Sequence, residues 1–295
     1  MSETGYKHIA VLGGTGKLAR QVSIELVTAG FKVKVFSRDP DASVPDAETV
    51  VVRDPTDVTA LISKLEGVDA VVSTLAIPAG VGAQTAAIKA AAAAGVKRFI
   101  PSEFGIDHYY NRTDPEFQPK KDALDLIKSL GLEYTVIVVG LFIEAGFDPS
   151  ISFDVPNGVA RIVQFIDSPV SYTSLKDTGR VVAGTLRSKD AANRLVSVAS
   201  ESLSDREVID ILEKVTGTRY MVMQRKLEEV YDELEKKPNF GLLLAFLKGR
   251  GTIYHDNEFS KYVKEKPYTV KEFLTVTKGG LENTVHWYDL MDHDL

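Results

Sequence analysis

His8-Ile-Ala-Val-Leu-Gly-Gly-Thr-Gly-Lys-Leu-Ala19 is the stretch that decides the fold of this 295-residue chain. The apolar run His8–Leu12 predicts a buried strand, and the residues from Leu18 onward predict a helix. The glycines between them fit both G-x-x-G-x-x-A and G-x-G-x-x-A, which allow a tight turn and a close backbone approach to a pyrophosphate. Free N–H groups at the start of the helix would bind that anion. The stretch therefore predicts a dinucleotide-binding unit.

The composition excludes several classes of protein. The chain is 44% hydrophobic and 26% charged, which is typical of a globular protein with a sizeable core. Because 41 acidic residues face 35 basic ones, we expect neither a nucleic-acid partner nor a membrane partner. The absence of cysteine excludes disulfides and a cysteine nucleophile. The five histidines include no pair at i, i+4, so no metal is expected.

The start of the chain does not resemble a targeting segment. The charged pair Lys7-His8 precedes the first apolar run, unlike the order in a signal peptide. Nowhere do about 18 consecutive apolar residues occur, the length that a membrane helix needs. The expectation is a cytoplasmic protein.

Strand and helix patterns alternate over the first 140 residues. This alternation implies right-handed crossovers, and so predicts an α/β fold with a Rossmann-type, doubly wound parallel sheet. The predicted strands are His8–Leu12, Lys32–Phe36, Thr49–Val52, Asp69–Ser73, Lys97–Ile100 and Tyr134–Val139, and the predicted helices are Leu18–Ala29, Thr56–Leu65, Gln84–Ala94 and Pro119–Leu130.

The pattern changes after Gly140, where short apolar pieces between prolines and glycines predict loops and minor strands. Ser204 and Glu207 have capping-box spacing ahead of a helix over Val208–Val215. Further helices are predicted at Leu227–Glu235 and Phe240–Leu247. We therefore expect a nucleotide-binding domain over residues 1–150 and a smaller, mostly helical substrate-binding lobe over residues 151–295, interleaved with the Rossmann core.

The end of the second strand indicates which cofactor is used. Sites that prefer NAD usually carry an acidic residue there, whereas this strand ends in Ser37 and Arg38. Both side chains donate hydrogen bonds, and arginine binds a 2′-phosphate in a bidentate manner. Lys17 adds positive charge, and the opposing Asp39 lies past the strand. NADPH/NADP is the predicted cofactor.

Two more strand ends complete the predicted cofactor site. Asp54 is a candidate acceptor for the adenine amino group, while Thr56 or Asp57 could cap the next helix. Thr74 and Leu75 follow strand four and are expected against the nicotinamide ribose. The glycine loop contributes Gly13, Thr15, Gly16, Lys17 and Leu18 to the same site.

One further string indicates a family. Ala94-Gly-Val-Lys-Arg-Phe-Ile-Pro-Ser-Glu-Phe-Gly105, together with the glycine loop, resembles the NmrA-like and isoflavone-reductase-like branch of the atypical short-chain dehydrogenases. The resemblance is strongest from His8 to Phe142 and thin after about Asp148. It implies a Rossmann domain, NADPH, and reduction of phenylpropanoid, isoflavonoid or related aromatic metabolites. Some members of this family instead sense NAD(P) and regulate transcription without catalysis.

The resemblance also implies a functional lysine at the start of the helix after strand five. The family's F-x-x-K pattern places it at Lys120, three residues after Phe117, with Lys121 as the adjacent alternative. It would bind the ribose and polarise or protonate the reacting oxygen. Without the resemblance, both lysines would be interpreted as solvated. Glu116 stands where other short-chain dehydrogenases carry a tyrosine four residues before the lysine.

Several other residues are candidates for the pocket. Ser102 is a candidate contact near the nicotinamide, and Glu103 and Phe104 are expected to shape the loop and the cofactor pocket. Candidate substrate contacts are His108, Tyr109 and Phe142, with Tyr110 as a further aromatic; Phe240, Phe246 and Trp287 could cover the pocket, although core packing is their default interpretation. The strings Tyr172–Lys176 and Tyr262–Lys266 are interpreted as coincidental.

The sequence thus predicts an NADPH-dependent reductase of a small aromatic molecule, with Lys120 assisting proton transfer. The alternative is a non-catalytic NADP(H) sensor that binds a protein partner. The sequence does not determine the substrate. It also leaves open whether the chain forms a homo-oligomer.

Overall fold

A computed structural model describes residues 3–14, 16–76, 80–107, 117–147, 152–163, 166–234, 251–253 and 256–276. The strands in these ranges are β1 His8–Leu12, β2 Lys32–Ser37, β3 Glu48–Val51, β4 Ala70–Ser73, β5 Arg98–Ile100, β6 Glu133–Val138, β7 Leu141–Phe142, β8 Phe153–Asp154, β9 Val159–Val163, β10 Pro169–Thr173, β11 Arg194–Ser197, β12 Glu201–Ser204 and β13 Met221–Arg225. The helices are α1 Lys17–Thr28, α2 Val58–Leu65, α3 Val81–Ala93, α4 Gln118–Ser129, α5 Ile143–Gly146, α6 Leu175–Arg187, α7 Asp205–Thr216, α8 Leu227–Leu234, α9 Phe259–Tyr262 and α10 Val270–Val276, with a 3₁₀ turn at Lys189–Ala191.

A seven-stranded sheet in the order β11-β6-β5-β4-β1-β2-β3 forms the centre of the fold. All of its neighbouring strands are parallel. The chain passes to one side of β1 for β2 and β3, and to the other side for β4, β5 and β6. Ligands of open α/β sheets bind beside such a switch point, beyond the carboxyl ends of the strands. The predicted α/β, doubly wound class is confirmed.

The first strand shows why both faces of the sheet are covered by helices. Ile9 and Val11 pack into a cluster with α1 and α6, whereas Ala10 and Leu12 pack into a cluster with α2, α3 and α4. A strand buried on both faces needs a continuous apolar run, which is the pattern that predicted it. On α3, small alanines such as Ala87 and Ala91 are buried against the sheet.

The minor strands predicted after Gly140 form two small sheets beside the helices of the C-terminal part. These three-stranded sheets have the orders β12-β10-β7 and β13-β9-β8. These strands have two to five residues and are separated by glycines and prolines, so their periodicity is weak. Strand β11 also follows residue 150, yet it pairs with β6 in the central sheet.

The capping box predicts the start of α7 correctly. The Ser204 hydroxyl accepts from the Glu207 N–H at 3.3 Å, and the Glu207 carboxylate accepts from the Ser204 N–H at 2.8 Å. The helix ends before Gly217, which has a φ of 71°. Helix α8 matches the predicted helix at 227–235, whereas the one predicted at 240–247 lies outside the described residues. Among the helices that the structure describes, none has the length and apolar character to cross a membrane.

Buried Arg98 holds the amino end of β5 against the end of α6. Its side chain is 1% exposed and donates to the main-chain oxygens of Thr185 and Ser188 at 3.0 and 3.1 Å. The guanidinium also donates to the Glu133 carboxylate at 3.1 Å, which accepts in addition from the Tyr6 hydroxyl. One side chain thereby joins two strands and a helix.

We expect Arg98→Met to lower the free energy of unfolding by about 2–4 kcal/mol, because the main-chain oxygens of Thr185 and Ser188 and the Glu133 carboxylate lose their donor. Lys97→Met is the matched control, since Lys97 is 61% exposed and pairs with Asp69 at the surface. That substitution should cost no more than about 1 kcal/mol. Urea unfolding of both variants measures the difference, and equal losses would contradict the assigned role of Arg98.

Candidate cofactor and active site

The glycine turn after β1 brings the end of β1 close to the end of β4. Gly13 has a φ of 117°, and a Cβ built on it would lie 2.4 Å from the Thr74 hydroxyl. That hydroxyl donates to the Leu12 main-chain oxygen at 2.6 Å. Gly14 also has a positive φ, of 61°. Both backbone conformation and available space therefore require glycine at Gly13. Thr15, a predicted cofactor contact, lies outside the described residues.

Helix α1 begins immediately after the turn and presents its N-terminus to the strand ends. Its cap residue Gly16 has no side chain to accept from the first N–H groups, and the first turn carries no acidic residue. Uncapped N–H groups and the helix dipole together favour an anion at this point. Lys17 is exposed in the first turn, and Leu18 is partly buried against the core.

A cavity of about 330 Å³ runs along the strand ends next to this turn. Four of the predicted cofactor residues line it: Gly13 in the glycine turn, Ser37 and Arg38 at the end of β2, and Leu75 after β4. Ser37 is buried and its hydroxyl accepts from the Asp39 N–H at 3.0 Å, while Arg38 is exposed. The volume of this cavity is within the range of small-molecule pockets.

The loop after β3 separates two roles that the sequence had left open. Asp57 caps α2, because its carboxylate accepts from the Ala60 N–H at 3.0 Å. Asp54 accepts from the hydroxyl and the N–H of Thr56 at 2.6 and 2.8 Å, and these hydrogen bonds lower the pKa of Asp54. Thr56 lines the cavity together with Pro55. An adenine contact from Asp54 stays a prediction.

Ser102 connects the ends of two strands at the other side of the site. Its hydroxyl donates to the Leu75 main-chain oxygen at 2.6 Å, and its N–H donates to the Gln84 side chain at 2.9 Å. Phe104 and Phe142 are both buried in the core cluster that contains α1 and α6. Neither lines the cavity described above, so a cofactor contact from Phe104 and a substrate contact from Phe142 stay predictions.

Lys120 lies in the first turn of α4 and contacts the turn that follows β5. Its ammonium group donates to the Glu103 main-chain oxygen at 3.0 Å and lies 3.5 Å from the Glu103 carboxylate. The Lys120 side chain is 17% exposed and that of Glu103 is 1% exposed. The ammonium group is thus held at the carboxyl end of β5, on the same sheet edge as the glycine turn.

The candidate substrate residues His108 and Tyr109, with Tyr110, lie outside the described residues, as do the possible covering residues Phe240, Phe246 and Trp287.

The sequence did not point to two polar residues near the site. Gln84 is a buried amide on the alanine-rich face of α3, and only this break in an apolar face could have indicated a role. Glu144 lies in α5, and both of its carboxylate oxygens are 3.1 Å from the Leu175 N–H at the start of α6. Burial raises the pKa of Glu144 to about 7, against the opposing effects of the Leu175 N–H and the charge of Lys17.

Comparison with known proteins places this site in a family context. The model of the NmrA-like family matches residues 5–274. The oxidoreductase poxI of Penicillium oxalicum is 28% identical over 240 residues, which are 77% of this chain and 76% of that protein. Pinoresinol reductase 2 of Arabidopsis thaliana is 28% identical over 268 residues, 78% of this chain and 80% of that protein.

A solved structure shows the same fold. The binary complex of leucoanthocyanidin reductase with NADPH from Vitis vinifera superposes with a TM-score of 0.81. It is 20% identical, and the match covers 92% of this chain and 99% of that one. The family and the fold predicted from the sequence are therefore both confirmed.

The raised pKa of Glu144 predicts how stability changes with pH. The folded state keeps this proton up to about pH 7, whereas the unfolded chain releases it near the ordinary value of 4.5. The free energy of unfolding should therefore fall as pH rises from 4.5 to 7. Glu144→Gln should remove up to about 3 kcal/mol of that fall, as measured by urea unfolding across this range.

Asp205→Asn is the control, because burial also raises the pKa of Asp205, to about 6. Its effect should be complete by about pH 6.5, whereas that of Glu144→Gln continues to higher pH. Parallel stability profiles for the wild type and Glu144→Gln would contradict the account of Glu144.

Proposed function

The chain belongs to the NmrA-like family, and on that premise we propose that it is an NADPH-dependent reductase of a small aromatic molecule. The substrate class is phenolic, similar to phenylpropanoids, isoflavonoids or related secondary metabolites, and Lys120 assists proton transfer. One observation carries this proposal: the Lys120 ammonium group donates to the Glu103 main-chain oxygen at 3.0 Å. This contact lies at the carboxyl ends of the strands, where the glycine turn also lies.

The residues along this edge fit a dinucleotide. The turn at Gly13 leaves no room for a side chain, the N-terminus of α1 has no side-chain cap, and the adjacent cavity has the size of a small-molecule pocket. A relative with a solved structure, the leucoanthocyanidin reductase, is bound to NADPH. When bound, NADPH supplies a hydride from its nicotinamide ring.

Arg38 and Ser37 support a preference for the 2′-phosphate. Both line the cavity at the end of β2, where a ribose-binding acidic residue would stand in an NAD site. The carboxylate of Asp39 accepts from the Asp41 N–H at 2.9 Å and so stabilises the loop after β2. Lys17 adds a positive charge in the first turn of α1.

Lys120 fits the role of a proton donor and a ribose contact. An ammonium group has three N–H donors, and the contacts with Glu103 involve two oxygens of one residue. We infer that a further N–H is directed to the ribose or to the oxygen of the substrate. Such assistance suits reduction of an activated C=C, C=O or C=N bond, or displacement of an aryl ether.

The aromatic substrate class is supported by the names of relatives. Pinoresinol reductase 2 and leucoanthocyanidin reductase are both named for phenolic compounds.

The cofactor preference predicts the effect of Arg38→Ala. Loss of charge-assisted hydrogen bonds to the 2′-phosphate should weaken NADPH binding about 10- to 100-fold and leave the affinity for NADH nearly unchanged. Arg53→Ala is the matched control, because Arg53 is equally exposed after β3 but does not line the cavity. Isothermal titration with both cofactors measures the effect, and an equal loss for NADPH and NADH would contradict the assignment.

The role of Lys120 predicts the behaviour of Lys120→Met. NADPH consumption and product formation with a panel of phenolic, flavonoid, quinone and enone compounds should show a kcat about 10²- to 10⁴-fold lower. NADPH should still bind, with an affinity about tenfold lower at most because a single ribose hydrogen bond is lost, and Lys121→Met should retain most of the activity.

Two outcomes would contradict this proposal in different ways. Turnover that survives Lys120→Met would remove the lysine from the mechanism and leave the reductase in place. Tight NADPH binding by the wild type without turnover of any compound would instead favour a cofactor-sensing regulator.

A further inference from the structure

A buried carboxylate faces the proposed catalytic lysine. Glu103 is 1% exposed, and its carboxylate lies 3.5 Å from the Lys120 ammonium group. The main-chain oxygen of the same residue accepts from that group at 3.0 Å. The hydrogen bond to the main-chain oxygen and the ion pair with the carboxylate therefore restrain the end of the flexible, four-carbon lysine side chain.

The turn that carries Glu103 is fixed on both sides. Before it, the Ser102 N–H donates to the Gln84 side chain at 2.9 Å, and the Ser102 hydroxyl donates to the Leu75 main-chain oxygen at 2.6 Å. Gln84 is itself 2% exposed, so its amide is set by the packing of α3. The residue before Glu103 is thus tied to both β4 and α3.

After Glu103, the Gly105 main-chain oxygen accepts from the N–H groups of Val139 and Gly140 at 3.1 and 3.0 Å. These residues follow β6, so the far end of the turn is tied to the next strand of the sheet. The position of the Glu103 oxygens is therefore determined by the rigid part of the fold.

We propose that Glu103 is a positioning residue that orients the Lys120 ammonium group, and that Gln84 fixes the turn from which Glu103 acts. This inference rests on the proposed reductase function. A buried carboxylate is costly unless a cation and hydrogen bonds compensate for it, which argues against a purely structural choice at this position. A pre-set ammonium group lowers the entropic cost of reaching the reactive geometry.

The first test is kinetic. Glu103→Gln keeps the volume and one acceptor oxygen but removes the charge, so kcat should fall about 10- to 100-fold while KM and the Kd for NADPH change by no more than about threefold. Thermal unfolding should change little. The double variant with Lys120→Met should lose no more activity than Lys120→Met alone, because Glu103 acts through that lysine.

The anchoring role of Gln84 is tested by a pair of variants. Gln84→Met removes the acceptor for the Ser102 N–H and should reproduce the kcat loss of Glu103→Gln. Gln84→Glu keeps an acceptor oxygen at the same distance along the side chain and should restore activity relative to Gln84→Met. Equal kcat values for these two variants would overturn the role of Gln84.

A second readout does not require turnover. Labelling with acetic anhydride, followed by peptide mass spectrometry, compares the reaction rate of Lys120 with that of exposed Lys97 in the same sample. The rate for Lys120 should rise several-fold in Glu103→Gln, because the ammonium group is no longer held by the carboxylate. An unchanged labelling ratio, or kcat within about twofold of the wild type, would overturn the proposal.

These readouts separate the two levels of inference. If the wild type labels as expected but turns over no compound, the reductase function fails while the positioning contact stands. If the wild type is active and Lys120→Met is inactive but Glu103→Gln behaves as the wild type, only the positioning role fails.

Discussion

The approach of Gly13 to Thr74 is the constraint on which the rest of the site depends. The end of β1 turns against the end of β4 with no room for a Cβ atom, and the Thr74 hydroxyl closes the contact by donating to Leu12. This contact lies at the switch point of the sheet, where the strand order reverses. It brings the N-terminus of α1 and the ends of β1, β2 and β4 to one cleft.

Because all the neighbouring strands are parallel, each of them delivers its next loop to the same edge of the sheet. The glycine turn, Arg38, Ser102 and the turn that contacts Lys120 all lie on that edge. The amino ends of the strands contribute to stability instead, since Arg98 at the amino end of β5 holds the sheet against the end of α6. Strand β5 therefore stabilises the fold at its amino end and leads into the candidate site at its carboxyl end.

The central fold could be predicted because its signals are local. Each of the first six strands is an apolar run next to a turn, and the capping box of α7 lies within four residues. Strand β11 was missed, since four residues of ordinary composition become a strand only by pairing with β6. The short strands of the C-terminal part depend on long-range pairing in the same way.

The site was predictable only in part. The glycine turn follows from backbone physics, whereas the proposed role of Lys120 rests on the resemblance to a family. Its contact with Glu103 joins residues that are 17 positions apart, and the bond from Ser102 to Gln84 spans 18 positions. No pattern of spacing encodes such contacts, because they arise from the packing of α3 and α4 against the sheet. For the same reason, periodicity could not reveal the proton-binding environment of Glu144.

The most direct test of this account is a crystal structure of the protein with NADP⁺ bound. We predict the pyrophosphate at the N-terminus of α1, the 2′-phosphate beside Arg38, and the nicotinamide ribose within hydrogen-bonding distance of the Lys120 ammonium group. A cofactor bound outside this cleft, or a nicotinamide ribose remote from Lys120, would contradict the proposed site.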